Sequence, residues 1–400
     1  MTSQHLFIFG RDPVLSLAEL CTLNESLNTK WLIESHWKNA ALVSGSLDAN
    51  ALQAHLGGTV KIARLLNTAD KLTPDGVFET LDSQIKSLLA NKFYFGLSFF
   101  GNPSENERSK IEEIFKQYFK SNGVKAMLKN PRSDQQNATD SMSPSQIHSL
   151  ELLDAGFDFC IAKHEGTWYL ARSVSATNPA ELKQRDITRF KADEHSATSI
   201  RLARILINLA GVSRGATILD PFCGIGTILL EASRMGFLAI GIDENPKAIA
   251  LSEKNKKKLL KTSPGTQIQL YRADSRKLAS LSLRFDAVVT EPTLGPYLRR
   301  KPSSAHAKRI LQELEPLFAG VFQALAQQMK PGANVVILLP QFETLDGHTH
   351  SFSSELFFTA GFESINPISF PAYAGAFPYL YRTPNNKINR QLYILRRKFK

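Results

Sequence analysis

The sequence predicts an α/β protein whose second half forms a doubly wound sheet. From residue 196 onward, short apolar runs alternate with segments in which apolar residues recur at helical spacing. The turn Asp220-Pro-Phe-Cys-Gly-Ile-Gly-Thr227 follows the first of these strands and opens a helix, which is where such sheets bind ligands. The first half also alternates strands and helices but has no glycine-rich turn, which favours a binding or positioning unit.

In the first half, strands are predicted at apolar runs between polar turns, and helices where apolar residues recur every three or four positions. The predicted order is strand 5–9, helix 16–23, strand 40–44, helices 49–56 and 78–89, strand 94–100, helix 104–121, and strands 124–128, 157–163 and 167–172. The stretch 173–193 is polar, carries one proline and has no sustained apolar period, so it predicts a linker.

The second half shows a stricter alternation of helices and strands. The predicted order is helix 196–209, strand 216–220, helix 226–235, strand 238–243, helix 246–260, strands 268–273 and 287–290, helix 305–329, strand 334–339 and helix 354–360. Two late strands, 364–370 and 391–396, are predicted to end the chain as a hairpin.

Charge and cysteine content limit the class of protein. Residues 1–175 carry 17 basic and 19 acidic side chains, and residues 176–400 carry 31 and 18, so the net charges are −2 and +13. The basic excess predicts a polyanionic partner such as nucleic acid, although solvated helix faces would also account for it. The three cysteines have no metal or disulfide spacing, and the pair His348 and His350 is not expected to bind a metal. No apolar run is long enough to span a membrane, so a cytoplasmic protein is expected.

Acidic residues follow three successive predicted strands. Gly224 and Gly226 allow a ligand to approach the backbone, Asp243 ends the second strand, and Asp274 follows the third. An acid at the second strand end can accept hydrogen bonds from ribose hydroxyls, although Asp243 could also help to cap the next helix. A nicotinamide dinucleotide fits poorly, because the third glycine of its motif is missing and Asp220 would face the pyrophosphate. S-adenosylmethionine, which has a positive centre and an amino-acid end, fits better.

The strand 287–290 delivers Glu291-Pro292 to the same edge of the sheet. The turn DPFCGIGT and this acid-proline pair resemble the first and fourth motifs of S-adenosylmethionine-dependent nucleic-acid amino-methyltransferases. More narrowly, the chain resembles the tRNA guanosine N2-methyltransferases that modify position 10. The resemblance is carried by residues 5–20, 56–63, 184–190 and 202–210 in addition to the two motifs.

The resemblance implies an order of domains. These are an N-terminal ferredoxin-like unit (1–65), a THUMP-like RNA-binding domain (66–172), the linker (173–193) and a Rossmann-like seven-stranded methyltransferase domain (194–400). The THUMP-like domain would grip the acceptor end of a tRNA. A monomer is expected, and the need for a small activating subunit stays open.

The resemblance also implies roles for site residues. Asp220, Gly224 and Gly226, with Pro221 and Thr227 of the same turn, would surround the methionine part of S-adenosylmethionine, Asp243 its ribose and Asp274 its adenine. Glu291 and Pro292 would hold the amine that is methylated. Candidates for stacking on the base or binding the RNA are Tyr297, Tyr373, Phe377, Tyr379, Arg299 and Arg300.

The fourth motif departs from the family pattern Asp/Asn-Pro-Pro-Tyr/Phe. Glu291 replaces the acid, Thr293 the second proline and Leu294 the aromatic residue. Three functions therefore stay open: N2-methylation of a guanosine in tRNA, a tRNA-binding protein or chaperone that has lost catalysis, and N6-methylation of adenine.

Overall fold

A computed structural model describes residues 3–26, 31–86, 92–131, 140–190, 198–383 and 386–399. The chain forms two compact units. The first contains Met1–Ser16 and Lys30–Gln184, and the second contains Leu17–Thr29 and Arg185–Lys400. In the described ranges, no helix combines the length and the apolar character that a membrane span requires.

From the N-terminus to Thr188, the described residues form eight strands and six helices. They are β1 (Gln4–Phe9), α1 (Pro13–Ser26), β2 (Leu32–Trp37), β3 (Ala40–Ser44), α2 (Ala49–Gln53), β4 (Thr59–Ala69), α3 (Pro74–Ile85), β5 (Lys92–Phe100), α4 (Glu105–Ser121), β6 (Lys125–Lys129), α5 (Pro144–Ser149), β7 (Phe157–His164), β8 (Thr167–Ala176) and α6 (Pro179–Thr188). The strands form one sheet in the order β2-β3-β1-β4-β8-β7-β5-β6.

Helix α4 illustrates how the local sequence builds the first unit. Ser104 caps its first turn, and Glu107 bonds back to the Ser104 backbone N–H, so two free donors are satisfied. Ile111, Phe115 and Phe119 lie four residues apart and are buried on one face of the helix. This face packs against the aromatic side chains of β5 and β7.

A buried ion pair connects four neighbouring strands of this sheet. Lys61 Nζ on β4 lies 3.0 Å from Asp158 Oδ2 on β7, and both side chains are at most 1% exposed. Ser98 on β5 and Ser173 on β8 donate hydrogen bonds to the same carboxylate. Burial acts to lower the pKa of Lys61, but Asp158 outweighs it and raises the pKa. The charged form of the lysine is therefore retained in the core.

Replacing Lys61 with Met should destabilise the first unit by about 3–5 kcal/mol, because the Asp158 carboxylate would stay buried without a cation. Urea unfolding followed by tryptophan fluorescence measures this, since all three tryptophans of the chain lie in the first unit. The control is Lys116→Met, which removes an exposed ion pair with Glu112 and should cost less than about 1 kcal/mol. Equal losses in the two variants would contradict this assignment.

The second unit continues with further helices and strands. They are α7 (Ile200–Leu209), β9 (Thr217–Asp220), α8 (Thr227–Arg234), β10 (Leu238–Asp243), α9 (Pro246–Thr262), β11 (Ile268–Arg272), β12 (Ala287–Thr290), α10 (Ser304–Gln328), β13 (Asn334–Glu343), β14 (Thr349–Ser351), α11 (Glu355–Phe358), β15 (Phe362–Ser364), β16 (Tyr379–Tyr381) and β17 (Ile388–Arg397). The main path of the sheet is β11-β10-β9-β12-β13-β17-β15, with β14 on β13 and β16 on β17.

Strands β9 to β13 of this sheet are parallel, and β15, β16 and β17 pair antiparallel. The chain order along the main path is that of a doubly wound sheet with a reversal between β9 and β12, where ligands bind. Apolar side chains of α10, including Phe318 and Phe322, pack on Val288 and Ile337 of the sheet. The predicted Rossmann-like α/β fold is confirmed.

Several predicted elements differ from the structure. The strand predicted at 364–370 ends at Ser364, because Asn366 accepts a hydrogen bond from the Ile368 N–H and Pro367 lacks a donor. Strands β2, β4, β14 and β16 were not predicted, since they are short or rich in polar residues. The predicted boundary after residue 65 lies within β4, and the predicted linker 173–193 contains the end of β8 and all of α6. The division into ferredoxin-like and THUMP-like parts stays a prediction.

Candidate active site

The turn between β9 and α8 has a backbone that requires glycine. Gly226 adopts φ 84° at the start of α8, and a Cβ there would lie 2.4 Å from Ser252 Oγ. Gly224 adopts φ 50°, and its N–H donates to Asp243 Oδ2 over 2.9 Å. The second oxygen of Asp243 accepts from the Asn245 N–H. Asp243 therefore fixes the glycine turn to the end of β10.

Asp220 is buried behind this turn. Its Oδ1 accepts two hydrogen bonds, one from the Thr290 hydroxyl over 2.6 Å and one from the Phe222 N–H over 3.1 Å. Burial raises the pKa of Asp220 to about 7, while these two hydrogen bonds act to lower it and the charges of Asp243 and Glu291 raise it further. The carboxyl group therefore connects the end of β9 to the end of β12 and does not face the cleft.

A cleft of about 430 Å³ opens at this edge of the sheet. Among the described residues of its lining, four are acidic and none is a lysine or an arginine. The lining residues are Pro221, Phe222, Gly224, Ile225, Asp243, Glu244, Asn245, Ala248, Ala273, Asp274, Ser275, Glu291, Pro292, Thr293 and Leu317.

The charge of the cleft decides which cofactor fits. A diphosphate would face carboxylates, and the Gly224 N–H, which could have bound a phosphate, already donates to Asp243. A cofactor with a sulfonium and an ammonium group is attracted by the same carboxylates. Hydroxyl groups of a ribose could still donate to Asp243, because each carboxylate oxygen accepts two bonds. The acidic and hydrogen-bond-accepting residues of the cleft therefore fit S-adenosylmethionine.

Asp274 lies at the cleft but is held by its neighbour. It caps the 3₁₀-helix Ser275–Leu281, and the Arg276 guanidinium contacts both of its oxygens at 2.8–3.0 Å. The hydrogen bond from Arg276 holds the pKa of Asp274 below its usual range. The predicted contact with adenine stays a prediction.

Glu291 projects from the end of β12 and has two partners that sequence reasoning missed. Its Oε1 lies 2.7 Å from Arg390 Nε on β17, and the Thr198 hydroxyl donates to its Oε2. The side chains of Glu291 and Arg390 are only 10% and 13% exposed. The one signal of Arg390 in the sequence is a charged residue at the margin of an apolar strand.

The residues after Glu291 divide between the cleft and the core. Pro292 and Thr293 line the cleft, whereas Leu294 packs against Ile310 of α10 within an apolar cluster. Gly295 adopts φ 104°, and a Cβ there would lie 2.8 Å from Ile310 Cγ2, which fixes this direction of the loop. The position that carries an aromatic residue in the resembling motif is thus used for packing.

The predicted aromatic and basic substrate residues lie outside the cleft lining. Tyr297 is 70% exposed, and Arg299 and Arg300 are exposed on the same loop. The half-buried rings of Phe377 and Tyr379 lie 6.3 Å apart in the segment that leads into β16. Tyr373 is also half-buried and lies in the 3₁₀-helix Pro371–Tyr373. The roles predicted for all six residues stay predictions.

Two further residues missed by sequence reasoning support the glycine turn. Asn255 of α9 is buried, and its amide donates to the carbonyl oxygens of Ile225 and Phe190. Arg189 donates to the Thr227 hydroxyl over 2.6 Å. Within the described ranges, no cluster of His, Cys, Asp and Glu has the geometry of a metal site.

Comparison with known proteins identifies the class. A family model described as an RMKL-like methyltransferase domain matches residues 188–355, and another described as DNA methylase matches residues 100–254. The TrmN structure from Thermus thermophilus has a TM-score of 0.53 at 15% identity and covers 99% of this chain and 100% of that one. The family model identifies a methyltransferase domain within the second unit, and the TrmN structure has the same overall fold.

Curated relatives give the family more narrowly. The tRNA (guanine(10)-N2)-dimethyltransferase of Methanothermobacter thermautotrophicus is 40% identical over 97 residues, which are 24% of this chain and 27% of that protein. The protein of the same name from Methanocaldococcus jannaschii is 34% identical over 161 residues, which are 38% of this chain and 43% of that protein. The predicted relationship to the tRNA guanine N2-methyltransferase family is confirmed, and the matches span less than half of either relative.

Replacing Gly226 with Ala should weaken binding of S-adenosylhomocysteine about tenfold or more. The left-handed backbone and the contact with Ser252 would cost about 1–3 kcal/mol in the turn that must hold the ligand. Isothermal titration calorimetry measures the affinity. Gly375→Ala is the control, because a Cβ there meets no atom within 4 Å and Gly375 does not line the cleft. Unchanged affinity in Gly226→Ala would contradict the role of this turn.

Replacing Asp220 with Asn should raise the free energy of unfolding relative to the wild type, and this gain should be larger at pH 8.5 than at pH 5. The pKa of Asp220 in the folded protein, about 7, lies above the value of about 3.9 in an unfolded chain, so the wild type loses stability as pH rises between these values. An amide carries no charge and avoids this loss. Calorimetric unfolding at both pH values measures the difference between variant and wild type, and a difference that does not grow with pH would refute the buried charge.

Proposed function

We propose that this protein transfers a methyl group from S-adenosylmethionine to the exocyclic N2 amine of a guanosine in tRNA. One observation carries the proposal: Glu291-Pro292 opens onto the same cleft as the glycine turn and Asp243. The acceptor that would hold an amine is thereby next to the residues that would hold the cofactor. The names of the curated relatives support guanosine N2 and tRNA as the target.

The turn and the strand ends would divide the cofactor between them. The glycine turn would contact its methionine part, Asp243 its ribose and Asp274 the region of its adenine. When bound, the cofactor supplies an activated methyl group on a positively charged sulfur. The carboxylates that line the cleft favour this charge over that of a phosphate.

Glu291 would act on the incoming amine. The lone pair of an exocyclic amine is delocalised into the base ring, so it attacks poorly unless the group is turned. The Glu291 carboxylate and a backbone carbonyl at Pro292 can accept the two amine N–H bonds and direct the lone pair toward the methyl group. After the nitrogen–carbon bond forms and the carbon–sulfur bond breaks, the nitrogen releases one proton to water.

A second candidate is a tRNA-binding protein that has lost catalysis. It is favoured by Leu294, which packs into the core, and by the absence of Tyr297 from the cleft lining. In this case the fold would bind tRNA and the cofactor without transferring a methyl group. A cytoplasmic location and a monomeric state are predictions that hold for either candidate.

The test is methyl transfer to unmodified tRNA transcripts, followed by mass spectrometry of the digested nucleosides. We expect N2-methylguanosine with the wild type and a loss of about 100- to 1,000-fold in kcat with Glu291→Gln, which cannot act as the same acceptor. Glu313→Gln on the exposed surface of α10 is the control and should keep full activity.

The outcomes separate the candidates. Binding of both tRNA and S-adenosylmethionine without any methylated nucleoside would support the non-catalytic protein. N6-methyladenosine in place of N2-methylguanosine would support the adenine methyltransferase, in line with the match to the DNA methylase family model. Sequencing of the methylated transcript would give the position of the target.

A further inference from the structure

The environment of Arg390 differs from that of an ordinary surface arginine. Its side chain is 13% exposed, and its Nε lies 2.7 Å from the Glu291 carboxylate. On its other side, the NH1 group donates to the Thr383 hydroxyl over 3.0 Å, and the Tyr381 ring lies 6.0 Å from the guanidinium carbon. Arg390 is therefore held from two directions, and Glu291 is held by Arg390.

The contact between Arg390 and Glu291 is electrostatic. Nε lies close to Oε1, but among the described atoms its N–H is not directed at a hydrogen-bond acceptor. Each carboxylate oxygen has two acceptor positions, so Oε1 can accept a donor from a substrate while Arg390 lies beside it. The Thr198 hydroxyl occupies one acceptor position on Oε2 and fixes the rotation of the carboxylate.

The length of Glu291 matches this partner. Arg390 belongs to β17, which is separated from β12 by β13, so the contact spans the width of one strand. An aspartate at position 291 would be one methylene shorter and would retract from Arg390. The replacement of Asp by Glu in the fourth motif is therefore consistent with the presence of Arg390 on β17, which the longer side chain reaches.

We propose that Arg390 is a positioning residue that orients Glu291 to accept the amine of the substrate, an inference that rests on the proposed function. Arg390 does not line the cleft, so it acts through Glu291 and not on the base or the cofactor. A planar guanidinium held by Thr383 restricts the carboxylate more than a flexible ammonium would. Loss of this restraint should slow the chemical step and leave substrate binding nearly intact.

Steady-state kinetics with tRNA and S-adenosylmethionine test the proposal. We expect Arg390→Gln to lower kcat roughly 100-fold, the cost of a small misplacement of a reacting group, with both KM values changed less than about threefold. Arg390→Lys, which keeps the charge, should recover part of kcat. Thr383→Val should lower kcat less than Arg390→Gln. Arg396→Gln, an exposed arginine on the same strand, is the control and should match the wild type.

A double variant separates positioning from folding. If Arg390 acts through Glu291, adding Arg390→Gln to Glu291→Ala should cause no further loss of kcat. An unchanged kcat in Arg390→Gln would overturn the proposal. A double variant whose loss of kcat is the product of the two single losses would also overturn it. An inactive wild type that binds both substrates would instead refute the proposed function, so the two failures are distinguishable.

Discussion

The buried carboxyl group of Asp220 is the contact on which the candidate active site depends. Strands β9 and β12 share only a short backbone register, in which Ala287 and Val288 face Ile218 and Leu219. Beyond that register, the hydrogen bond from Thr290 to Asp220 keeps the two strand ends together, and the Phe222 N–H ties the glycine turn to the same group. The turn that would hold the cofactor and the acid that would hold the amine are thus fixed by one side chain, and burying that side chain costs stability at neutral pH.

The acidic cleft lies in a half of the chain that is strongly basic. The acidic groups act on a ligand in contact with them, and the basic excess acts at longer range. At contact range, carboxylates at the strand ends favour a cationic cofactor. Three of the four acidic side chains of the lining have a neighbour that limits repulsion: the Gly224 N–H for Asp243, and the cations of Arg276 for Asp274 and Arg390 for Glu291. At longer range, the net charge of +13 in residues 176–400 favours the approach of a polyanion. A polyanion can therefore approach the domain while its phosphates are excluded from the cofactor position.

The sequence was sufficient where local pattern determines structure. Strands β3, β10 and β12 were predicted at their observed bounds, because each is an apolar run between turn residues, and the glycine turn was predicted as a ligand site from its place after a strand. Thr198 and Arg390 could not be predicted as partners of Glu291, since they lie 93 residues before it and 99 residues after it in the chain. The direction of Leu294 depends on the backbone of Gly295 and on α10, and the spacing of a motif contains neither.

The departures of the fourth motif are connected through packing. Leu294 and the left-handed Gly295 hold the loop against α10, so the residue three positions after the acid cannot also lie over the cleft. An acid in such a loop receives no support from an adjacent aromatic ring, and its orientation must come from elsewhere in the fold. Arg390 and Thr198 supply that orientation from β17 and from the residue before the cap of α7. A glutamate at position 291 reaches a partner on a strand that is not its neighbour. Under the proposed function, the C-terminal strand would therefore help to position the acid that accepts the amine.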